Sequence, residues 1–231
     1  IVLDGENSFF KIKIEDKAIE QKLLIIYLRD NKGPGIARNV GAIFSDAENL
    51  LFLDTGDMNI HNRILNQNKA LNNDYVSVGA IKEVNSLGIS RIRFSSKNIS
   101  IAKTFLPYKN PFNNVSIGIK REFFISIGGY GDTRVGEDWI LSGKVLSRTE
   151  KINITDKVLV LVNVKENFLQ RRRGIKVYSE IKKSLEKLYN LDIINLQELI
   201  ISKTIQKVFR IYLSKYILSF IYKLNRTQTK F

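Results

Sequence analysis

Short apolar runs, each stopped by a polar or charged residue, recur through the first part of the chain. The segments 1–4 (IVLD), 23–28 (LLIIYL), 50–53 (LLFL) and 75–81 have the length and composition of buried strands. Between them the period changes. Ile36, Val40, Ile43, Phe44 and Ala47 recur at helical spacing after a glycine–proline turn at 31–35. Ile60, Ile64, Leu65 and Leu71 fall on one side of a second helix, predicted over 60–71. Strand alternating with helix is the pattern of an α/β layer on a mainly parallel central sheet flanked by helices.

The stretch 83–113 reads as irregular and polar, with Arg91 and Arg93 flanking Ile92. A strand is predicted at 115–119, and a short helix at 121–127 ended by Gly128-Gly129. An amphipathic helix over 138–146 and an alternating strand over 158–164 follow, then helical patterns over 178–188 and 196–224. The chain contains no internal repeat.

Composition narrows the chemistry. With 231 residues, 44% of them hydrophobic, the chain has enough for one core and an appendage. The absence of cysteine excludes disulfides, thiolate metal sites and cysteine nucleophiles, and the single histidine, His61, excludes clustered-histidine zinc chemistry. The net charge is +14, of which +10 falls in residues 165–231. That split predicts one domain over 1–164 and a basic, amphipathic helical extension over 165–231. Anionic partners are expected, but a diffuse nucleic-acid binder would spread its charge over the domain, so no nucleic acid is expected. The only methionine is Met58, and residue 1 opens directly into an apolar run without a signal-peptide pattern. We therefore expect an N-terminally truncated fragment.

Carboxylates stand at three predicted strand or helix ends, where open α/β sheets bind ligands. Asp4 follows IVL, Asp54 and Asp57 follow LLFL, and Glu137 with Asp138 opens a helix after GGYGDTRVG. Asp54 and Asp57 suit a hard divalent cation held against a diphosphate, or else cap the next helix. Glu137 and Asp138 either supply a general base or answer the helix dipole. Trp139 packs under a sugar ring or into the core. Arg38 sits in the first turn of its helix, where it meets an anion or is solvated.

The order GPGIARNVG, LLFLDTGD, NVSIGIKREFFISIGGYGD, GEDW resembles a family 2 glycosyltransferase of GT-A fold, over about residues 1–165. The resemblance implies a single GT-A-like nucleotide-binding domain whose first strand and helix precede residue 1. It implies that Asp4, Arg38 and Asn39 line the nucleotide-sugar site, and that Asp54 and Asp57 hold Mn²⁺ or Mg²⁺, with Asp54 also at the nucleotide-sugar. Asp138 matches the catalytic base, with Glu137 supporting it or touching the acceptor. Gly56 stands where the family usually carries a further carboxylate, and no histidine follows the GEDW motif. The QRRRG run at 170–174 is similar to basic elements of processive and polyprenyl-phosphate enzymes, which implies Arg171 and Arg173 at a phosphate.

The expected activity is inverting transfer of a hexosyl-type sugar from a nucleoside-diphosphate sugar to a glycan or lipid-linked acceptor, in surface polysaccharide or lipid-linked glycan synthesis. Residues 205–224 mix apolar, aromatic and basic side chains too closely for a transmembrane span. They fit an interfacial helix or a packed one. The expected location is cytoplasmic, peripheral on the inner face of the cell membrane. The rival reading is an inactive or non-enzymatic basic module that binds membrane or nucleic acid.

Overall fold

A computed structural model describes residues 2–5, 24–60, 62–85, 88, 90–164 and 172–213. Strands β1 (Val2–Asp4) and β2 (Ile26–Leu28) pair in parallel, and helix α1 (Pro34–Ile43) follows the turn after β2. Next come β3 (Asn49–Leu51), β4 (Met58–Asn59), α2 (Arg63–Leu71) and the long β5 (Val76–Asn85). A hairpin partner β6 (Ser90–Arg93), helix α3 (Ile99–Phe105), a 3₁₀ turn (Asn114–Ser116) and β7 (Gly118–Lys120) lead into α4 (Arg121–Ser126). Helix α5 (Glu137–Arg148), strand β8 (Ile152–Val164), α6 (Ile175–Asn190) and α7 (Leu196–Lys207) complete the order, with a π turn at Val208–Tyr212.

This is the expected α/β architecture. The main sheet runs β3-β7-β5-β8-β4, with β6 also on β5. Its longest ladder is the parallel pairing of β5 with β8, while the shorter strands join antiparallel. Residues 76–81 of central β5 are buried on both faces, which is why VSVGAI carries only one polar side chain, Ser77.

The segment 83–113, read as irregular, carries β6 and α3. Ser90-Arg-Ile-Arg is short and basic, so its pairing with β5 comes from contacts that no local pattern announces. Helix α3 is started by Asn98, whose side chain accepts the Ile101 amide at 2.9 Å. The helix expected over 196–224 ends at Lys207 and widens into the π turn; residues 214–224 lie outside the described ones.

One hydrophobic cluster joins Leu50, Val76, Ile119, Phe124, Trp139 and Leu141 with Ile181, Leu185 and Leu188 of α6 and Leu199 of α7. Helices of the basic last third therefore share a core with the strands. Trp139 resolves its two readings: its ring is buried and its Nε1 donates to the Leu106 carbonyl at 2.6 Å.

Candidate active site

Four chain segments meet at the start of α5. Helix α1 supplies Arg38 and Asn39, the turn after β3 supplies Asp54 and Asp57, the glycine-rich loop before α5 supplies Tyr130, and α5 supplies Glu137 and Asp138. Close approach depends on Gly35. A methyl group there would lie 2.3 Å from the Gly131 carbonyl and 2.9 Å from Glu137 Cβ, so only glycine lets α1 begin against this loop.

Arg38 is the hub. Its Nη1 donates to Glu137 Oε1 at 2.9 Å and its Nη2 to Asp54 Oδ1 at 2.5 Å, while its guanidinium lies over the Tyr130 ring at 5.1 Å. Burial alone would lower the Arg38 pKa; Tyr130, Asp54 and Glu137 outweigh it and hold the pKa above the ordinary value. The group stays charged throughout the physiological range. Asn39 works on the backbone: its Oδ1 accepts the Tyr130 amide at 2.8 Å and its Nδ2 donates to the Tyr130 carbonyl at 3.1 Å.

Glu137 is 8% exposed. Burial first, and the Asp138 charge second, push its pKa up to about 7 against the opposing pull of Arg38. Asp138 is half-buried on the same turn, with Oδ1 accepting the Trp139 amide at 2.9 Å. The Tyr130 phenol is raised well above its usual range, mainly by burial, with Arg38 opposing and the Asp138, Asp54 and Glu137 charges adding. Its hydroxyl donates to Asn114 Oδ1 at 2.8 Å.

Asp54 and Asp57 close one turn, with the Asp57 amide on the Asp54 carbonyl at 3.1 Å. Asp57 also accepts the Asn163 amide at 3.2 Å. Burial, with the Asp54 charge adding to it, raises the Asp57 pKa against that hydrogen bond. Among the described residues, no group of three or more His, Asp or Glu side chains forms a ready-made metal cage. Two hard carboxylates whose charges repel nevertheless fit a divalent cation that completes its shell with phosphate oxygens and water.

Asp4 is occupied by the fold. Its Oδ1 accepts the Lys32 amide at 2.6 Å and its Oδ2 the Gly33 amide at 2.7 Å, which fixes the turn into α1. Arg134 ties that turn to the glycine-rich loop through Asn31, donating to Oδ1 at 2.7 Å and to the carbonyl at 2.6 Å. Arg173 lies elsewhere: its guanidinium donates to the Leu213 carbonyl at the C-terminal turn. Arg171 is outside the described residues.

Three contributors are not among the site residues expected from the sequence. Tyr130 sits within the GGYGD run, and its aromatic character between glycines is the available signal. Ser184 of α6 grips the loop from outside, bonding Thr133 Oγ1 at 2.9 Å and the Val135 carbonyl at 2.8 Å. Arg63 of α2, beneath the aspartate turn, leaves no signal in the apolar pattern of its helix.

The chain as a whole has known relatives in sequence and in fold. No protein-family model matches the chain. It is 26% identical over 172 residues to the amylovoran biosynthesis glycosyltransferase AmsE of Erwinia amylovora, covering 73% of this chain and 63% of that one. It is 27% identical over 209 residues to the Escherichia coli UDP-Gal:alpha-D-GlcNAc-diphosphoundecaprenol beta-1,3-galactosyltransferase, covering 85% of this chain and 72% of that one. Among solved structures, Staphylococcus aureus TarS 1–349 in complex with UDP-GlcNAc superposes with a TM-score of 0.64 at 15% identity, over 90% of this chain and 62% of that one. The mannosyltransferase PcManGT from Pyrobaculum calidifontis, in complex with GDP-Man and Mn²⁺, superposes with a TM-score of 0.59 at 12% identity, over 90% of this chain and 59% of that one. The chain thus spans 63% of the length of the first of these relatives. By sequence the chain is similar to glycosyltransferases, and its fold is shared with solved glycosyltransferase structures. Those relatives include enzymes of polysaccharide and lipid-linked glycan synthesis.

Proposed function

We propose that this chain carries the catalytic site of an inverting glycosyltransferase that moves a sugar from a nucleoside-diphosphate sugar to an acceptor hydroxyl. The observation that carries the reading is Arg38, which joins the aspartate turn to the acidic start of α5. An NDP-sugar needs those features side by side: an anion-binding end for the diphosphate, and a carboxylate at the sugar.

In this reading Asp138 takes the proton of the acceptor hydroxyl. The acceptor oxygen then bonds to the anomeric carbon, and the bond from that carbon to the diphosphate oxygen breaks, its electron pair leaving with the nucleoside diphosphate. Glu137 holds Arg38 in place behind the base. Asp54 and Asp57 hold Mn²⁺ or Mg²⁺, which when bound offsets the charge of the leaving diphosphate. Arg38 adds a fixed positive charge at the same end, and Asp4 and Asn39 shape the nucleotide wall by fixing the turn and loop around it. Arg171 and Arg173 are assigned to a phosphate farther from this cluster, on the donor or a lipid.

The relatives support an acceptor in surface polysaccharide or on a lipid diphosphate. Among the described residues, no helix is long and apolar enough to cross a membrane. Val208, Phe209 and Tyr212 are exposed beside Lys207, which favours a peripheral contact of 205–224 with the cytoplasmic face of an anionic membrane.

The test is release of nucleoside diphosphate from UDP-, GDP- and dTDP-sugars, with and without Mn²⁺, with an undecaprenyl-diphosphate sugar as acceptor. Metal-dependent release from one donor, lost in Asp138→Asn while donor binding survives, is the expected result. Asp138→Asn with wild-type turnover would remove the base assignment, and absence of donor binding in the wild type would remove the whole reading.

A further inference from the structure

Helix α2 keeps Leu71 of its apolar pattern inside but turns Ile64 and Leu65 outward. Arg63, Gln67 and Leu71 point inward, whereas Ile64 is 59% and Leu65 53% exposed. Arg63 itself is 2% exposed. Among the described residues its acceptors are all neutral: Nε donates to Gln67 Oε1 at 2.7 Å, Nη1 to Asn59 Oδ1 at 2.6 Å, and Nη2 to the Phe52 carbonyl at 3.0 Å and the Ile117 carbonyl at 3.5 Å. A buried guanidinium without a carboxylate partner is unfavourable, and an aliphatic residue would fill the space more cheaply. What the arginine provides is a rigid fork with donors in three directions.

Those directions are informative. Phe52 stands two residues before Asp54, and Asn59 two residues after Asp57, so one planar group grips both stems of the aspartate turn. The third acceptor, the Ile117 carbonyl, also receives the Phe52 amide at 3.2 Å and leads into β7. Gln67 anchors the arginine in turn, donating to the Ser77 carbonyl at 3.0 Å and the Ser116 carbonyl at 2.8 Å. The fork is therefore fastened to the central sheet on one side and to the turn on the other.

We infer that Arg63 is a positioning residue for the Asp54–Asp57 turn: its buried guanidinium sets the distance between the two stems and thereby the separation of the two carboxylates. The inference rests on the reading of that turn as the one that holds the divalent cation. Arg63 touches neither the cation nor the donor. It acts as outer partners of metal ligands do, by fixing the ligands before the ion arrives.

The test compares the wild type with Arg63→Lys, which keeps the charge but not the fork, by amide hydrogen exchange and by Mn²⁺ titration followed through water-proton relaxation. Exchange over residues 54–59 is expected to rise selectively, with β5 and α5 keeping wild-type rates. Mn²⁺ affinity is expected to fall by about tenfold or more. Unchanged exchange over 54–59, or a uniform rise across β5 and α5 as well, would overturn the inference. Should Arg63→Lys lose its cooperative melt, Asn59→Ala removes one arm of the fork and decides the same comparison. A wild type that takes up no Mn²⁺ sinks the cation reading instead, and the exchange measurement still rules on Arg63.

Discussion

Arg38 Nη1 meets Glu137 Oε1 at 2.9 Å, joining helix α1 to a residue 99 positions further along the chain. The same guanidinium reaches Asp54, so the aspartate turn and the acidic start of α5 share one cation. Each carboxylate is held by a charge that the other also uses, and this coupling gives the site its pH behaviour.

Glu137 titrates at about 7 in the folded chain, above the 4.5 of a free glutamate. The folded state therefore binds this proton more tightly than the unfolded chain does. The resulting stability is fully present below pH 4.5 and is lost as pH rises through about 7, by roughly 3 kcal/mol. Glu137→Gln should abolish that part of the slope in melting temperature against pH; identical slopes in both proteins would refute the assignment. Arg38→Met removes the cation that lowers the Glu137 pKa, so a carboxyl NMR titration should find Glu137 protonated to still higher pH.

Asn39→Ala deletes both hydrogen bonds to the Tyr130 backbone and leaves a part-buried amide and carbonyl unpaired. A loss of about 2–3 kcal/mol is expected in chemical denaturation. Nucleoside-diphosphate release should fall further than stability explains, because the loop leads into Glu137. A variant with wild-type turnover and lowered stability would make Asn39 purely structural.

Two glycines of the site should respond differently. Gly35→Ala places a methyl against the Gly131 carbonyl at 2.3 Å, so the backbone must move and roughly 2–3 kcal/mol is lost together with the α1–α5 contact. Gly56 has φ +95° and open space around it, with nothing within 4 Å of where a Cβ would stand. Gly56→Asp therefore costs only the conformational strain, about 1–2 kcal/mol. Denaturation midpoints of the two variants check the ranking; a more damaging Gly56→Asp would reverse it.

Ser184→Ala removes the hydroxyl that bridges Thr133 and the Val135 carbonyl. The expected cost is about 1–2 kcal/mol, with faster amide exchange over 132–137. Exchange confined to α6 would show that the helix does not restrain the loop.

Much of the site is legible along the chain because its motifs are local. A carboxylate at the end of an apolar run, a glycine before a helix start and an acidic pair at a helix start are each written in a few consecutive residues. Arg38, Asp54, Glu137 and Asp138 can be picked out for that reason, while Asn39 enters through the family resemblance. Arg63 cannot, because inward and outward residues on α2 are decided by what the neighbouring strands need. The apolar stripe Ile64–Leu65 points outward since the stems of the aspartate turn need donors more than that face needs burial. Strand β6 is illegible for a related reason: its pairing energy lies in cross-strand contacts with β5.

The sequence by itself determined the α/β alternation, the uneven charge and the residue types available for chemistry, since each is set by composition or by contacts within a few residues. Only the tertiary structure decided which carboxylates share Arg38, that Asp4 spends its oxygens on the turn into α1, and that α6 from the basic third holds the loop before Glu137. Those are contacts between residues tens of positions apart. Their register is fixed by packing around β5 and β8, and no short stretch of chain encodes it.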